Sequence, residues 1–288
     1  MKLLIGAALV TSLAAAQVSM VVTAETQHGT TTPQIDRGDV MVWQDNQRRQ
    51  VLDWVPLRGG QAALQLYVLI DDALPASFSD QFGDLRQFIA SQPATTEIGV
   101  GYLRYGTVQI IQAPTADHDR AARAFRVPLG VPGQSPSPYM SLSELIGKKW
   151  PSSDARREVL MISSGVDLYY REPDLNDPYL ESAIADAQRA GVIVYTIYWG
   201  NAHGVGRGEW STTMAQSYLT RLTGETGGQS WFEGLWNPVS LQPLLKELGA
   251  RLSEQYRLTF ATSGKAGLKA VRVTTETPGL KLVAARKA

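Results

Sequence analysis

Cysteine is absent from this sequence of 288 residues, and histidine occurs only as His28, His118 and His203. The absence of cysteine excludes disulfide bonds, thiolate nucleophiles and cysteine-based zinc sites. With so few histidines, a metal centre built from several histidines is not expected either. Lys plus Arg and Asp plus Glu both number 27, so no net charge attracts nucleic acid or an anionic membrane.

Two common catalytic signatures are also missing. The sequence contains no Gly-x-Ser-x-Gly nucleophile elbow and no phosphate-binding loop. One hydrolase arrangement stays open, with Ser135, His118 and Asp117 as a triad. Asp117 and His118 are adjacent on a predicted helix and face in different directions, which makes them a poor pair. We therefore expect no catalytic residues and no enzyme, with a secreted hydrolase as the alternative.

The N-terminus carries an apolar run that is typical of an export signal. Lys2 precedes the apolar stretch 3–16, which has the length of a signal peptide and is too short for a transmembrane helix. Small-residue pairs ending at Ala16 and at Ala24 give two candidate cleavage sites. We predict a signal peptide over residues 1–24. The mature protein is then secreted or periplasmic, with no stable membrane insertion after cleavage.

The centre of the sequence alternates strand and helix patterns. Near-continuous apolar segments that begin at Leu64, Val159 and Val192 are typical of buried parallel strands. Apolar residues at helical spacing separate these segments, and the clearest amphipathic stripe covers 241–256. The alternation predicts a three-layer, doubly wound α/β domain with a mostly parallel sheet over residues 63–255.

Both ends of the sequence carry strand patterns. Residues 25–62 are predicted to form a linker and a β-hairpin, in which Val40–Trp43 pairs with Val51–Trp54 across an Asp/Asn turn. Residues 256–288 contain the C-terminal strands. Each group has too few residues to be stable alone, so we predict that the two termini form one small β module beside the α/β domain.

The order of these elements, together with five short sequences, resembles the von Willebrand factor A family. Tyr67–Asp72 is similar to that family's first strand and first metal-site aspartate, and Val159–Gly165 is similar to its fourth strand. Val194–Ile197 resembles the fifth strand, and Leu222–Gly228 resembles the Thr-Gly-Gly turn before the last strand. The closing Tyr256–Phe260 resembles a related subgroup of exported bacterial proteins. The resemblance implies a von Willebrand A-like, Rossmann-like fold.

The resemblance also implies a metal-ion-dependent adhesion site, but its residues are altered here. The family uses Asp-x-Ser-x-Ser after the first strand, a Thr from a middle loop and an Asp after the fourth strand. Counted from Asp71, the serine positions hold Ala73 and Pro75, and Ser164 replaces the last aspartate. Hydroxyl groups compete poorly with the hydration of Mg²⁺, so we expect no metal and no other cofactor, and expect Ser77 and Ser79 to cap a helix. If this degenerate site bound Mg²⁺, its ligands would be Asp71, Ser77, Ser79 and Ser135.

Loops at the carboxyl ends of parallel strands are where ligands of α/β domains bind. In this sequence those loops hold aromatic residues and arginine, which are enriched at protein interfaces and also suit stacking on sugars. Alternatively, Tyr169 and Trp199 pack onto neighbouring helices. We predict an exported protein-interaction or adhesion module that is independent of metal, with a protein or glycan partner and no nucleic acid. Its predicted interaction face consists of Tyr169, Tyr170, Trp199, Arg207 and Trp210.

Overall fold

The structure, a computed structural model, describes residues 16–26, 33–130, 137–167, 177–200, 209–234, 236–262 and 267–288. The first half contains β1 (Gln17–Thr26), β2 (Val40–Gln44), β3 (Gln47–Arg49), β4 (Val51–Pro56), β5 (Leu64–Asp71), α1 (Phe82–Ala90), β6 (Thr96–Arg104), β7 (Thr107–Thr115), α2 (His118–Arg123) and α3 (Pro138–Glu144). The second half contains β8 (Arg156–Ser163), α4 (Pro178–Ala190), β9 (Val192–Tyr198), α5 (Glu209–Thr226), β10 (Ser230–Trp231), α6 (Gln242–Ser253), β11 (Gln255–Ala261), β12 (Val271–Thr275) and β13 (Leu280–Ala284). Within these ranges, no helix has the length and apolar character needed to cross a membrane.

A six-stranded sheet with the order β10-β9-β8-β5-β6-β7 forms the centre of the molecule. β5 pairs in parallel with β6 and β8, and β9 pairs in parallel with β8 and β10. The edge strand β7 runs antiparallel to β6. The three apolar segments that begin at Leu64, Val159 and Val192 therefore lie side by side and parallel, which confirms the prediction made for them.

Helices cover both faces of this sheet because its central strands are apolar at consecutive positions. In β5, Leu66 and Val68 pack with α1, α2 and α6, whereas Tyr67 and Leu69 pack with α3, α4 and α5. Fully burying one such aliphatic side chain stabilises the folded state by about 1.5–3 kcal/mol. The predicted three-layer α/β architecture with a mostly parallel sheet is confirmed.

The two ends of the chain form a β module, as predicted. β1 lies between β11 and β13, and β4 pairs with the other side of β11. A second sheet contains β12, β2 and β3 in that order. The two sheets share one apolar core, which includes Val22, Leu258 and Phe260. In the same core Trp54 stacks on Tyr256, with ring centroids 4.5 Å apart.

The N-terminal hairpin is shorter than predicted. Asp45 and Asn46 form its turn and have φ angles of 49° and 62°, in the left-handed region that two-residue hairpin turns require. The strands that this turn joins are β2 and β3. The predicted partner Val51–Trp54 lies instead in β4, which pairs with β11 in the other sheet, so this part of the prediction is corrected.

β1 overlaps the predicted signal peptide of residues 1–24. It pairs with β11 over seven positions, from Gln17 to Thr23, and the side chain of Val22 is fully buried. Cleavage after Ala24 would remove most of β1 and leave β11 and β13 without the strand between them. Cleavage after Ala16 would leave β1 whole. Residues 17–24 of the predicted signal peptide thus lie in β1, and the position of cleavage stays a prediction.

Polar contacts join the β module to the amino edge of the six-stranded sheet. Nε2 of Gln255 donates to Oε2 of Glu158 at 3.2 Å and to the Tyr195 hydroxyl at 3.1 Å. Nε of Arg156 donates to Oε1 of Glu158 at 3.1 Å. Burial raises the pKa of Glu158, and the contacts with Arg156 and Gln255 oppose this rise. Because the β module occupies the amino edge, the carboxyl edge is the part of the sheet where a ligand would meet the loops.

Candidate functional site

Two consecutive aspartates stand where β5 reaches the carboxyl edge. The carboxylate of Asp71 accepts hydrogen bonds from the Ala73 N–H at 3.0 Å and from the Ser163 hydroxyl at 2.8 Å. Oγ of Ser163 in turn accepts from the Gly165 N–H at 3.1 Å. Ser164, which replaces the expected aspartate, accepts from the Val166 N–H at 3.4 Å. Asp71 therefore joins the ends of β5 and β8 through a serine that the sequence did not single out.

Asp72 is bound by an arginine from a distant part of the chain. Arg126 donates from Nη1 to Oδ1 at 2.7 Å and from Nη2 to Oδ2 at 2.9 Å. The Leu129 N–H donates to Oδ1 at 3.1 Å, and the side chain of Asp72 is fully buried. This two-pronged geometry is the strongest arrangement that arginine forms with a carboxylate. The negative charge of Asp72 is thus neutralised inside the protein.

Tyr102 of β6 holds Arg126 in place. The Tyr102 hydroxyl accepts from the Arg126 N–H at 2.7 Å and donates to the Arg126 carbonyl at 2.5 Å. The guanidinium carbon lies 3.9 Å from the centroid of the Tyr102 ring. Burial raises the pKa of Tyr102 to about 12, so the hydroxyl keeps its proton at neutral pH. The hydrogen bond with Asp72 raises the pKa of Arg126, which stays charged.

A second arginine approaches Asp72 from the turn between β6 and β7. Nε of Arg104 lies 3.9 Å from Oδ2 of Asp72, and Nη2 donates to the Tyr105 hydroxyl at 3.1 Å. The Arg104 guanidinium also lies over the Tyr105 ring, 4.7 Å from its centroid. Tyr105 and Gly106 have φ angles of 54° and 71°, and the Gly106 backbone lies against the sulfur of Met140.

Apolar side chains are exposed around the two arginines. Val127 and Leu129 follow Arg126 along the chain, and Met140 of α3 contacts the Gly106 turn. The exposed fractions are 59% for Tyr105, 49% for Val127, 47% for Leu129 and 39% for Met140. We call this surface the arginine patch and define it as Arg104, Tyr105, Arg126, Val127, Leu129 and Met140.

The predicted metal ligands are placed differently from the expectation. Ser77 is exposed, and the Ser79 hydroxyl donates to the Ala76 carbonyl at 2.8 Å. Neither serine caps α1, because the residue before that helix is Gln81, which makes no side-chain capping bond. The predicted capping role is therefore corrected. Ser135 lies outside the described residues.

The arrangement of Asp71 and Asp72 does not fit a hydrated dication. Both carboxylate oxygens of Asp71 already accept hydrogen bonds, and both carboxylate oxygens of Asp72 accept hydrogen bonds from the guanidinium of Arg126. Mg²⁺ requires near-octahedral oxygen geometry, which a carboxylate engaged by an arginine fork does not offer. Within the described residues, no group of three or more His, Asp or Glu side chains is arranged around a common metal position.

Of the predicted interaction face, the structure describes the side chain of Trp199. It is buried and packs edge-on against Phe78 with ring centroids 5.0 Å apart, so Trp199 is corrected from a surface residue to a core residue. Trp210 lies in the first turn of α5, but its side chain lies outside the described part of the chain. Tyr169, Tyr170 and Arg207 also lie outside the described ranges.

Two residues of the alternative hydrolase triad, His118 and Asp117, lie at the opposite edge of the sheet. His118 Nε2 is 2.8 Å from the carbonyl of Thr96, which begins β6 at the amino edge. Asp117 caps α2 by accepting from the Arg120 N–H at 2.9 Å. Ser135 lies outside the described residues. The placement of His118 and Asp117 gives no support to a nucleophile activated by this pair.

Sequence reasoning missed Arg104 and Arg126. Arg104 ends a strand that is parallel to β5, so the rule that points to carboxyl-end loops could have included the β6–β7 turn. Arg126 follows a short helix and lies 54 positions from Asp72, and nothing in its local sequence indicates that pairing. The role of Arg126 depends on the tertiary structure alone.

The strand order, the antiparallel edge strand β7 and the helices on both faces define a von Willebrand A-like α/β fold. No protein-family model matches the sequence, and no curated protein matches it. The fold is similar to BatB from Bacteroides thetaiotaomicron, with 10% identity over 66% of this chain and 97% of BatB and a TM-score of 0.46.

Two further solved structures are similar in the same way. Proximal thread matrix protein 1 from the mussel byssus, whose metal-ion-dependent adhesion motif contains zinc, has 11% identity over 70% of this chain and 48% of that protein, with a TM-score of 0.49. The von Willebrand A domain of SpRpn10 has 11% identity over 65% of this chain and 93% of that domain, with a TM-score of 0.39. At these identities the similarity concerns the fold alone, and the residue roles above come from this chain's own geometry.

Proposed function

We propose that this chain is an exported protein-interaction module that binds a protein partner at the carboxyl edge of its sheet, without a metal ion and without catalysis. The arginine patch is the observation that carries the proposal. Its tyrosine, arginine and aliphatic side chains are each partly exposed, and within the described part of the chain they are linked through Asp72 and the Gly106 turn. Such a combination of residues is typical of protein interfaces, where tyrosine and arginine often contribute most of the binding energy.

Independence of metal is supported by the pair of Arg126 and Asp72. An adhesion site of the family type needs a cation that is held by carboxylates and keeps one position open for the partner. Here the guanidinium supplies the positive charge beside Asp72, and it is covalently part of the chain. Chelating agents therefore should not disturb this surface.

Export is supported by the N-terminal sequence and by the position of β1. The apolar stretch 3–16 ends at a small residue, Ala16, and the first described strand starts at Gln17. Removal of the apolar stretch at that point would leave the β module complete. A secreted or periplasmic location follows from this proposal.

Partner capture with a matched set of variants tests the proposed function. The full chain is immobilised and incubated with the extracytoplasmic fraction of its source cells, in EDTA or in Mg²⁺, and captured proteins are quantified by mass spectrometry. The double variant Val127→Ser, Leu129→Ser removes two apolar side chains of the arginine patch. Val239→Ser is the control, because Val239 is 92% exposed in the loop before α6.

We expect the wild type and the control to capture the same protein in both buffers, and the double variant to lose it. Capture that requires Mg²⁺ would contradict independence of metal. Capture that is unchanged in the double variant would contradict the use of this surface. A thermal melt that shows the double variant to be folded attributes a loss of capture to the surface and not to misfolding.

Glycan binding is a second candidate, and the exposure of Trp236 favours it. The indole of Trp236 is 80% exposed in the loop between β10 and α6, where it could stack on a sugar ring. A glycan array probed with the wild type and with Trp236→Ala tests this candidate. Signals that are equal for both proteins would exclude a role for this tryptophan.

A further inference from the structure

Arg104 carries a positive charge that the described residues neutralise only in part. Its Nε is buried, lies 3.9 Å from Oδ2 of Asp72, beyond hydrogen-bonding distance, and has no hydrogen-bond partner within the described ranges, so only the outer part of the guanidinium can meet a partner. The side-chain hydrogen bonds of Asp72 go to Arg126 and to the Leu129 N–H. Two guanidinium groups therefore share one carboxylate. The arginine patch has a surplus of positive charge at Arg104.

The conformation of Arg104 suits the binding of a second carboxylate. The guanidinium is held over the Tyr105 ring and donates to the Tyr105 hydroxyl, while 28% of the side chain is exposed. A guanidinium fixed in this way loses little further freedom when it forms another hydrogen-bonded pair. Arg126 is less available, because both of its terminal nitrogens already bind Asp72.

The apolar members of the arginine patch indicate what kind of molecule carries that carboxylate. Val127, Leu129 and Met140 are each between 39% and 49% exposed beside the two arginines. A small anion or a sugar phosphate would leave these side chains in contact with water. A protein segment with an acidic residue between apolar residues would bury them and match the charge at the same time.

We infer that the arginine patch binds an acidic protein segment whose Asp or Glu carboxylate pairs with Arg104 and whose neighbouring apolar residues cover Val127, Leu129 and Met140. This inference rests on the proposed function, because it assigns a partner chemistry to the same surface. It also assigns separate roles to the two arginines. Arg126 organises the surface from within, and Arg104 contacts the partner.

Peptide selection tests the inference. Random linear peptides displayed on phage are panned against the full chain in EDTA, and the strongest binders are synthesised together with versions in which every Asp and Glu is replaced by its amide. Dissociation constants are measured by fluorescence anisotropy for the wild type, Arg104→Gln and Leu129→Ser. Arg272→Gln is the matched control, because Arg272 is also exposed and stacked on an aromatic ring, 4.4 Å from the centroid of Trp43.

We expect the selected peptides to be rich in acidic and apolar residues. Arg104→Gln and the amide peptides should each weaken binding about ten-fold to a hundred-fold, as the loss of a charge-assisted hydrogen-bonded pair does. The Arg272→Gln control should bind like the wild type. Binding should also weaken as NaCl is raised, because the ion pair forms at a partly exposed site.

Two other outcomes separate this inference from the proposed function. In the first, Leu129→Ser abolishes binding while Arg104→Gln and the amide peptides have no effect. The surface is then used but its partner is not acidic, which contradicts the inference and leaves the proposed function intact. If the binding of every selected peptide is unchanged in Leu129→Ser and in Arg104→Gln, both the inference and the proposed use of the arginine patch are wrong. Thermal melts that are equal for all four proteins exclude misfolding as the cause.

Discussion

At the scale of single residues, the chemistry of the carboxyl edge is set by a buried carboxylate and the arginine that neutralises it. The side chain of Asp72 accepts three hydrogen bonds, two from Arg126 and one from the Leu129 N–H. A buried carboxylate without such partners carries a large desolvation cost. Arg126 is itself oriented by Tyr102, which binds both its backbone and its guanidinium. The surface residues Val127 and Leu129 take their positions from this arrangement.

Replacement of Arg126 tests how much the pair contributes to folding. Arg126→Ala is expected to lower the free energy of unfolding by about 3 kcal/mol, because it leaves a buried carboxylate without its partner while water reaches part of the site. Arg126→Lys should lower the free energy of unfolding by less, because lysine keeps the positive charge but cannot form the two parallel hydrogen bonds of the guanidinium. Urea denaturation at neutral pH measures both. The exposed Arg272→Ala is the control, and a loss in Arg126→Ala no greater than in that control would contradict the expectation.

Tyr67 provides a prediction for alkaline pH. Burial raises the pKa of Tyr67 to about 12, above the ordinary value of 10. The stability that this residue contributes is therefore fully present below pH 10 and is lost as the pH rises toward 12, because the unfolded chain releases the proton first. Tyr67→Phe should flatten the decline of the free energy of unfolding by about 1.4 kcal/mol per pH unit in that range. Parallel pH curves for wild type and variant would show that the prediction is wrong.

At the scale of elements, β1 is the strand that completes the β module. It pairs with β11 on one side and with β13 on the other, so its backbone N–H and C=O groups form hydrogen bonds with both strands. Strands that lose such a neighbour expose unpaired backbone groups and apolar surface. The signal-peptide prediction had included most of β1 because the small residues ending at Ala24 give a second candidate cleavage site. The strand β1 is held by pairing with β11 and β13, which lie at the far end of the chain.

Two shortened chains test the importance of β1. A chain that begins at Gln17 is expected to unfold cooperatively with the stability of the full chain, because it keeps all the strands that the structure describes. A chain that begins at Glu25 should aggregate or unfold without a cooperative transition, since β11 and β13 lose their shared partner. Thermal denaturation followed by circular dichroism distinguishes the two. Equal melting of both shortened chains would contradict the role assigned to β1.

At the scale of the whole molecule, the two ends of the six-stranded sheet have different surroundings. The module contacts the amino edge through Gln255, Glu158 and Tyr195, and the carboxyl edge carries the arginine patch. Among the described residues, the β module therefore contacts one edge of the sheet, and the proposed binding surface lies at the other. Because the guanidinium of Arg126 rather than a metal ion neutralises Asp72, we expect the stability of the whole molecule to be independent of divalent metal ions.

Thermal melts with and without millimolar Mg²⁺ or Mn²⁺ test this expectation. A ligand that binds only the folded state must raise its stability, so an intact metal site would produce a higher melting temperature. We expect no shift in the wild type and none in Asp71→Ala. A cation-dependent stabilisation that disappears in Asp71→Ala would show that a metal binds there, and it would contradict the proposed independence of metal.

The sequence by itself determined the α/β class, the parallel neighbours that begin at Leu64, Val159 and Val192, and the strand character of residues 40–56 and 256–288. These features follow from local periodicity, because a strand buried on both faces is apolar at consecutive positions and a helix that covers it repeats its apolar residues every three or four positions. Only the tertiary structure decided that Trp199 is a core residue, that β1 is a strand and that Arg126 binds Asp72. Each of these depends on contacts between residues far apart in the chain, for which local periodicity carries no signal. The physical reason is that burial and ion pairing are set by the neighbours in space, which become fixed when the chain folds.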